Sequence, residues 1–477
     1  MVTGKPHKPS KFARFVLYPL GGAFFLVVLT VVLTLATGYR FIYSGGKVGL
    51  VKTGMLIVST RPFDALVSLN GKATKYRTGF YLLPTKISSL RPGFYDVELS
   101  KSGYRSWKDR LEITPNLVTW ANYVLLFPNK LNIAKIAVPI GNVIAKSDNG
   151  RHILFSGNLE NKFSLKSLDS NNLSAKDFWP SVTPAETWLV SPVITGATYS
   201  SNNDRILLKI TDGARTEYVV SDASSNQAKL IHLNSTLKQD FTEAWWNVAN
   251  NNEIYLLGPA GLSLANINDT ALANPILADI VSLKVDEARQ VYYVTKNQGG
   301  TYVVGRMNLD GSNKTILEDS IAPSKSYELG FSSKNNILTI LNHDTGDLTA
   351  YYIGNASKKY SLKLSGGVTS FAWSPNRQRL LYFGKNFVKG YDWEKNKETD
   401  VSLSDATSDV SWYFDENHYL INDTKGVFVT DYDGSNMVPI SETPAGVTVL
   451  DQGNNGVLYT GKDDSGKEVF YKYISEF

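Results

Sequence analysis

Near the start of the chain, 23 residues run without a charge, from Phe15 to Thr37 (FVLYPLGGAFFLVVLTVVLTLAT). As a helix this stretch would rise about 34 Å, enough to cross a hydrocarbon core about 30 Å thick. Pro19 falls in the first turns, where a missing N–H costs little. Thr30 and Thr34 can bond back to carbonyls of their own helix. A cleaved signal sequence would carry an apolar run of only about 7–15 residues. The small residues near Ala36 keep that alternative open. The pattern predicts a single transmembrane helix over 15–37, preceded by a cytoplasmic tail, 1–14.

From Gly54 the pattern changes to short strands and turns. Residues 38–53 read as a linker. Met55–Thr60 is a strand, and Ala65–Leu69 is a second one closed by Asn70-Gly71, a strong hairpin signal. Pro92-Gly93 marks another turn. Tyr95, Val97 and Leu99 then alternate with Asp96, Glu98 and Ser100, giving one apolar and one polar face. Leu117–Phe127 is a long closing strand. Together these predict a small β-sandwich over 54–128.

Beyond Pro128 one pattern recurs: an apolar–aromatic strand end, a polar turn, then an apolar strand. FAWSPNRQRLLYF (371–383) shows it most clearly. Aligned on Trp373, further copies centre on Lys146, Tyr199, Trp246, Val285, Phe331, Trp412 and Leu450. The intervals are 53, 47, 39, 46, 42, 39 and 38 residues, a mean of about 43. That is the length of a four-stranded propeller blade. Leu309-Asp310-Gly311-Ser312-Asn313 recurs as Tyr432-Asp433-Gly434-Ser435-Asn436, 123 residues on. A calcium loop at Asp431 and Asp433 is the alternative there, but the carboxylates are too few. The prediction is an eight-bladed β-propeller over 131–477, or seven-bladed if the copy at Val285 is not one. The last blade lacks a strand, and Leu131–Val138 is free to complete it and close the ring, leaving no edge to aggregate.

Two resemblances follow from these residues. Gly54, the turn Pro62-Phe63-Asp64-Ala65, Val67, Asn70-Gly71, Pro92-Gly93-Phe94-Tyr95-Asp96-Val97 and Gly103-Tyr104 stand in the order of the PEGA domain. The region from 54 to about 127 resembles that family, although the namesake turn keeps only its Pro and Ala. The resemblance implies a β-sandwich in a prokaryotic envelope protein, with no catalytic residue attached. Trp373-Ser374-Pro375-Asn376 is similar to the blade signature of TolB-type and WD40-like propellers; the other copies are degenerate.

Composition narrows the chemistry. There is no cysteine, which removes disulfides, thiolate metal sites and cysteine nucleophiles, and only five histidines, His7 among them. His152 and His418 occupy turn or strand-start positions, where solvated side chains are expected. No HExxH, GxSxG, Walker A or GxGxxG occurs in a suitable context. No cofactor, no metal site and no enzymatic activity are expected. Residues 1–130 hold 18 basic and 5 acidic side chains, and 131–477 hold 31 and 39. The acidic back of the chain argues against nucleic acid. Within the front, residues 39–130 carry 14 basic and 5 acidic residues. Lys72, Lys75 and Arg77 are candidates to hold anionic headgroups or wall polymers.

In the propeller, Trp373, Trp412, Tyr199 and Phe331 are expected to pack between blades. Trp245 and Trp246 are adjacent, so they point to opposite faces of a strand; one of the pair is expected at the surface, as a binding residue. Lys5, Lys8, Lys11 and Arg14 precede the apolar stretch and Arg40, Lys47 and Lys52 follow it, which favours a cytoplasmic N-terminus with everything after residue 38 outside. The expected molecule is a single-pass cell-membrane protein. Its extracellular propeller would act as a binding or scaffolding platform for an envelope protein or glycan. The alternative is a glycan-active hydrolase or lyase with its site in the propeller channel. Two carboxylates, or a histidine and a carboxylate, converging there would favour that alternative.

Overall fold

A computed structural model describes residues 11–44, 47–80, 83–136, 142–147, 150–159, 162–179, 193–213, 215–224, 227–286, 289–353, 360–402, 407–446, 448–451 and 456–474. The tail expected over 1–14 therefore lies outside the described residues up to residue 10. The chain divides into two compact units between 130 and 131.

The first unit opens with α1 (Lys11–Ala36), 26 residues long. Its threonines bond back as expected, Thr30 Oγ1 to Leu26 O at 2.8 Å and Thr34 Oγ1 to Thr30 O at 2.7 Å. Large apolar side chains such as Phe24, Phe25 and Leu33 stand exposed along it. Among the described residues no helix is long and apolar enough to cross a membrane. The stretch expected as a linker instead carries a two-stranded antiparallel hairpin, β1 (Tyr39–Ser44) and β2 (Lys47–Lys52). Short β-branched and aromatic runs on either side of Gly45-Gly46 suit such pairing.

Seven strands then form two sheets. One has the order β6-β3-β9, from β3 (Gly54–Arg61), β6 (Thr85–Leu90) and β9 (Val118–Leu125). The other has the order β5-β4-β7-β8, from β4 (Leu66–Leu69), β5 (Lys72–Arg77), β7 (Gly93–Ser100) and β8 (Trp107–Ile113). Leu56, Val58, Val67, Val97, Leu99 and Trp107 are among the side chains of their common core. The alternation in β7 is realised, with Val97 and Leu99 buried and Asp96 exposed. Asn70 and Gly71 both have positive φ, 50° and 73°, the backbone that a type I′ hairpin turn requires. β3 and β9 pair in parallel.

The second unit is built of eight successive antiparallel sheets among the described residues, an arrangement consistent with a β-propeller. Their first strands are Val143–Lys146, Val193–Tyr199, Glu243–Trp246, Ile280–Val285, Tyr327–Ser332, Val368–Trp373, Thr407–Trp412 and Thr448–Asp451. Each holds one of the eight repeat centres, Val285 included, so these sheets are called blades 1 to 8 in that order. Seven have four strands. Blade 3 has three, and a lone bridge, Leu262 to Leu277, marks the missing edge. Asn274-Pro275 interrupts that edge, and proline cannot donate to a ladder. Blade 8 is completed by β10 (Ile133–Ile136), which pairs with Glu468–Tyr473 from the far end of the unit.

The repeat aromatics tie the blades together. Trp246 Nε1 donates to Thr198 O at 3.1 Å, Trp373 Nε1 to Thr339 Oγ1 at 3.1 Å, and Trp412 Nε1 to Ala372 O at 3.0 Å. Tyr199 and Ser167 share a hydroxyl bond of 2.8 Å. Each bond runs to the preceding blade. A second tie sits where the second strand begins opposite the end of the third. Arg205 pairs with Asp222 at 2.8 Å and Arg379 with Asp392 at 2.9 Å. Both arginines also reach the next blade's turn, at Asn251 O and Glu416 O.

Candidate functional site

The first strands of blades 2 to 6 supply the walls of two adjoining cavities, which marks these strands as the lining of a central channel. The larger cavity is about 780 Å³ and includes Lys284, Asp286, Glu328, Phe331 and Arg377 in its lining. The smaller is about 610 Å³ and includes Ser200, Asn203, Trp245, Lys284 and Arg289. Val248, Lys284 and Val285 belong to both. Further round, Lys146 of blade 1 pairs with Asp409 of blade 7 at 2.7 Å.

One level of the first strands carries polar side chains in blades 3 to 7. Counting three residues back from each repeat centre gives Glu243, Ser282, Glu328, Ser370 and Asp409 in blades 3 to 7. In five of the eight first strands, those beginning at Val143, Val193, Ile280, Val368 and Thr407, the register slips near this level. Such bulges re-aim side chains. Glu243 is held by Lys209 at 2.9 Å and Asp409 by Lys146. Glu328 differs. Its carboxylate accepts from Ser370 Oγ at 3.3–3.4 Å and lies 4.0 Å from His343 Nε2. Burial pushes its carboxyl up to about 7, against the opposing pull of Ser370 and Lys284. A carboxyl that changes charge near neutral pH, in a cavity, is a group suited to ligand binding or proton transfer.

The sequence candidates fall as follows. Trp246 is 7% exposed and packs with the blade 2 side of its sheet, among Leu207 and Tyr218. Trp245 is half-buried and packs on the other side, against residues such as Tyr255 and Leu283. The opposite faces are as expected, but neither indole stands free in solvent, because a blade lies on each side of the strand. Both still contribute to the smaller cavity. Lys72, Lys75 and Arg77 lie together on β5, an edge strand, and all three are exposed. Lys75 lies over the Tyr76 ring at 5.6 Å, and Arg77 is 3.5 Å from Asp64.

Histidine placement departs from expectation at one position. His418 is 1% exposed rather than solvated. It stands at the blade position that Arg205 and Arg379 occupy elsewhere, between Asp415 at 3.0 Å and Asp431 at 3.3 Å. Burial lowers its proton affinity, but the two carboxylates outweigh that and raise it to about 9. His152 is half-buried, and burial lowers it. Among the described residues no group of three or more histidine, aspartate or glutamate side chains is placed to hold a metal ion.

Glu328, Lys284 and Ser370 escaped the sequence reading. For Glu328 and Ser370 the signal was present in the aligned repeats, in the column three residues before the repeat centre, where carboxylates and serines alternate through blades 3 to 7; Lys284, one residue before its centre, has no such column.

Residues 53–126 match the PEGA domain family. No curated protein matches the chain. Solved structures that resemble it are β-propeller-like. An oligogalacturonate lyase in complex with manganese is 10% identical, with 71% of this chain and 99% of that one covered at a TM-score of 0.40. A eukaryotic initiation factor is 12% identical, with 72% and 90% covered at 0.44. An oligogalacturonate lyase from Vibrio parahaemolyticus is 11% identical, with 72% and 97% covered at 0.39. Likenesses this distant carry nothing about ligand or activity.

Proposed function

We propose that this chain is a membrane-anchored cell-envelope protein whose propeller acts as a binding platform outside the membrane, with its ligand site in the channel. The pair of adjoining cavities walled by five consecutive blades carries this reading. Channel and loop surfaces assembled from many blades suit recognition. The anchor would be α1. The whole uncharged stretch from Phe15 to Thr37 would reach about 34 Å. The PEGA-matching module, with Lys72, Lys75 and Arg77 along one exposed edge, would meet anionic headgroups or wall polymers. Alkaline carbonate washing of membranes tests the anchor: the full chain should stay with the pellet, and a chain lacking 15–37 should be released. Protease added to intact cells should degrade the propeller, and full protection would refute the outside placement.

A second reading, a glycan-active hydrolase or lyase, is favoured by one observation: Glu328 and His343 form a carboxyl–imidazole pair beside the larger cavity. Turnover of envelope glycans that disappears in Glu328→Gln would move the balance to this reading.

A further inference from the structure

We propose that the two adjoining cavities form one site for an acidic saccharide, with its anionic group held by Lys284 and Arg289 and a hydroxyl facing Glu328. This deepens the platform reading and rests on it. Three observations carry the ligand class.

First, Lys284 and Arg289 are exposed in the cavities, and among the described residues neither has a carboxylate within ion-pairing distance. Two other lysines of these blades are already paired, Lys146 with Asp409 and Lys209 with Glu243. Second, among the described residues the lining of the smaller cavity contains these two cations and no carboxylate, although residues 131–477 carry eight more acidic than basic side chains. A positive pocket inside a negative unit selects anions by local field rather than by net charge. Third, the rest of that lining offers hydroxyl and amide groups beside the half-buried face of Trp245, a surface that matches the polar edges and apolar faces of a sugar ring.

Glu328 makes the site sensitive to protons. The charged and titratable groups near it are Lys284 from blade 4, His343 after the second strand of blade 5, and Asp286 and Arg377 across the cavity. When Glu328 is ionised it repels an anionic ligand and competes for Lys284. When protonated it can donate to a ligand hydroxyl. Affinity for an anion must therefore rise as pH falls from 8 to 6.

The test is calorimetry on the full chain in detergent, with a tetrameric uronic-acid oligosaccharide and its neutral, fully methyl-esterified form as probes. The acidic probe should bind at least ten-fold more tightly than the ester. Lys284→Gln and Arg289→Gln should each weaken it ten-fold or more, and Lys284→Arg should retain it. Thermal melts establish that each variant is folded. The gain at low pH should vanish in Glu328→Gln and persist in His343→Gln. Equal affinity for the two probes, indifference to Lys284→Gln and Arg289→Gln, or no binding of either overturns the inference. The platform reading is tested apart from it, by capture of solubilised envelope components on the full chain. Capture unaffected by Lys284→Gln and Arg289→Gln overturns the acidic-saccharide site and leaves the platform standing. Failure to retain any component overturns the platform.

Discussion

His418 illustrates how a single position can carry opposite chemistry from its neighbours in a repeat. In blades 2 and 6 an arginine pairs with the aspartate that ends the third strand. In blade 7 an imidazole does so with Asp431, and Asp415 approaches its other nitrogen. An arginine stays charged at all accessible pH, whereas an imidazole does not. The folded state holds His418 protonated up to about 9, against an ordinary value of 6.5. Its contribution to stability is thus complete below about pH 6.5 and is lost as pH rises through 9. One proton links at most about 1.4 kcal/mol per pH unit. Melting temperature measured from pH 6 to 9.5 should fall across this window, and the slope should flatten in His418→Gln. An equal slope in both proteins would assign the effect to other groups. Sequence could place His418 at a strand start but not bury it, because burial came from two aspartates 13 and 3 residues away and from the blade packed over them.

At the scale of strands and blades, the repeat was legible because each blade repeats one local grammar. In five of the eight an aromatic stands at or next to the end of the first strand; a polar turn follows, and then an apolar strand buried on both faces. All eight centres chosen from that grammar fall in first strands, including the weak copy at Val285. The strands that escaped, β5, β6 and β8 of the first unit, are short or rich in Lys, Arg, Ser and Glu. They are written for partly solvated faces, so their residues report water on one side more loudly than pairing on the other. The hairpin β1–β2 was hidden for a related reason: two glycines read equally as a flexible join or a turn. The inter-blade arginine tie tests the grammar. Arg379 bonds Asp392, Glu416 O and Asn417 Oδ1, and both partners of its ion pair are largely buried. Arg379→Ala should cost roughly 3–5 kcal/mol in chemical denaturation, since it strands a buried carboxylate. Adding Asp392→Asn should recover part of that loss, because the stranded charge is then gone. If the double variant is no better than the single, the cost lies in the lost contact with blade 7 instead.

For the whole molecule, closure of the ring decides whether eight marginal sheets become one cooperative unit. A strand from residue 133 onward joins a sheet whose other strands come from residues 448 to 473, so this contact has the longest sequence separation in the unit. It is slow to form and removes two exposed edges at once. Lys472, itself buried, adds a bond from Nζ to Ser170 O at 3.1 Å, reaching from blade 8 to blade 1. Ring closure was foreseeable because Leu131–Val138 has strand character and no other blade to join. The channel chemistry was not, since side chains meet there from blades dozens of residues apart. The ladder fixes the place to probe. Ile474 N donates to Asn132 O at 3.1 Å, and hydrogen-bonded pairs alternate in an antiparallel ladder, so Ala134 and Lys472 form the next such pair. Ala134→Pro removes that donor and should destabilise the unit by roughly 1–3 kcal/mol. It should also expose the edge of Glu468–Tyr473, so light scattering should reveal concentration-dependent association that the parent chain does not show. Ala134→Val, which keeps the donor and favours strand, is the control and should melt with the parent. A proline variant that stays monomeric and melts with the parent would mean that the ring holds without its closing strand, its cooperativity supplied by the tryptophan and arginine ties alone.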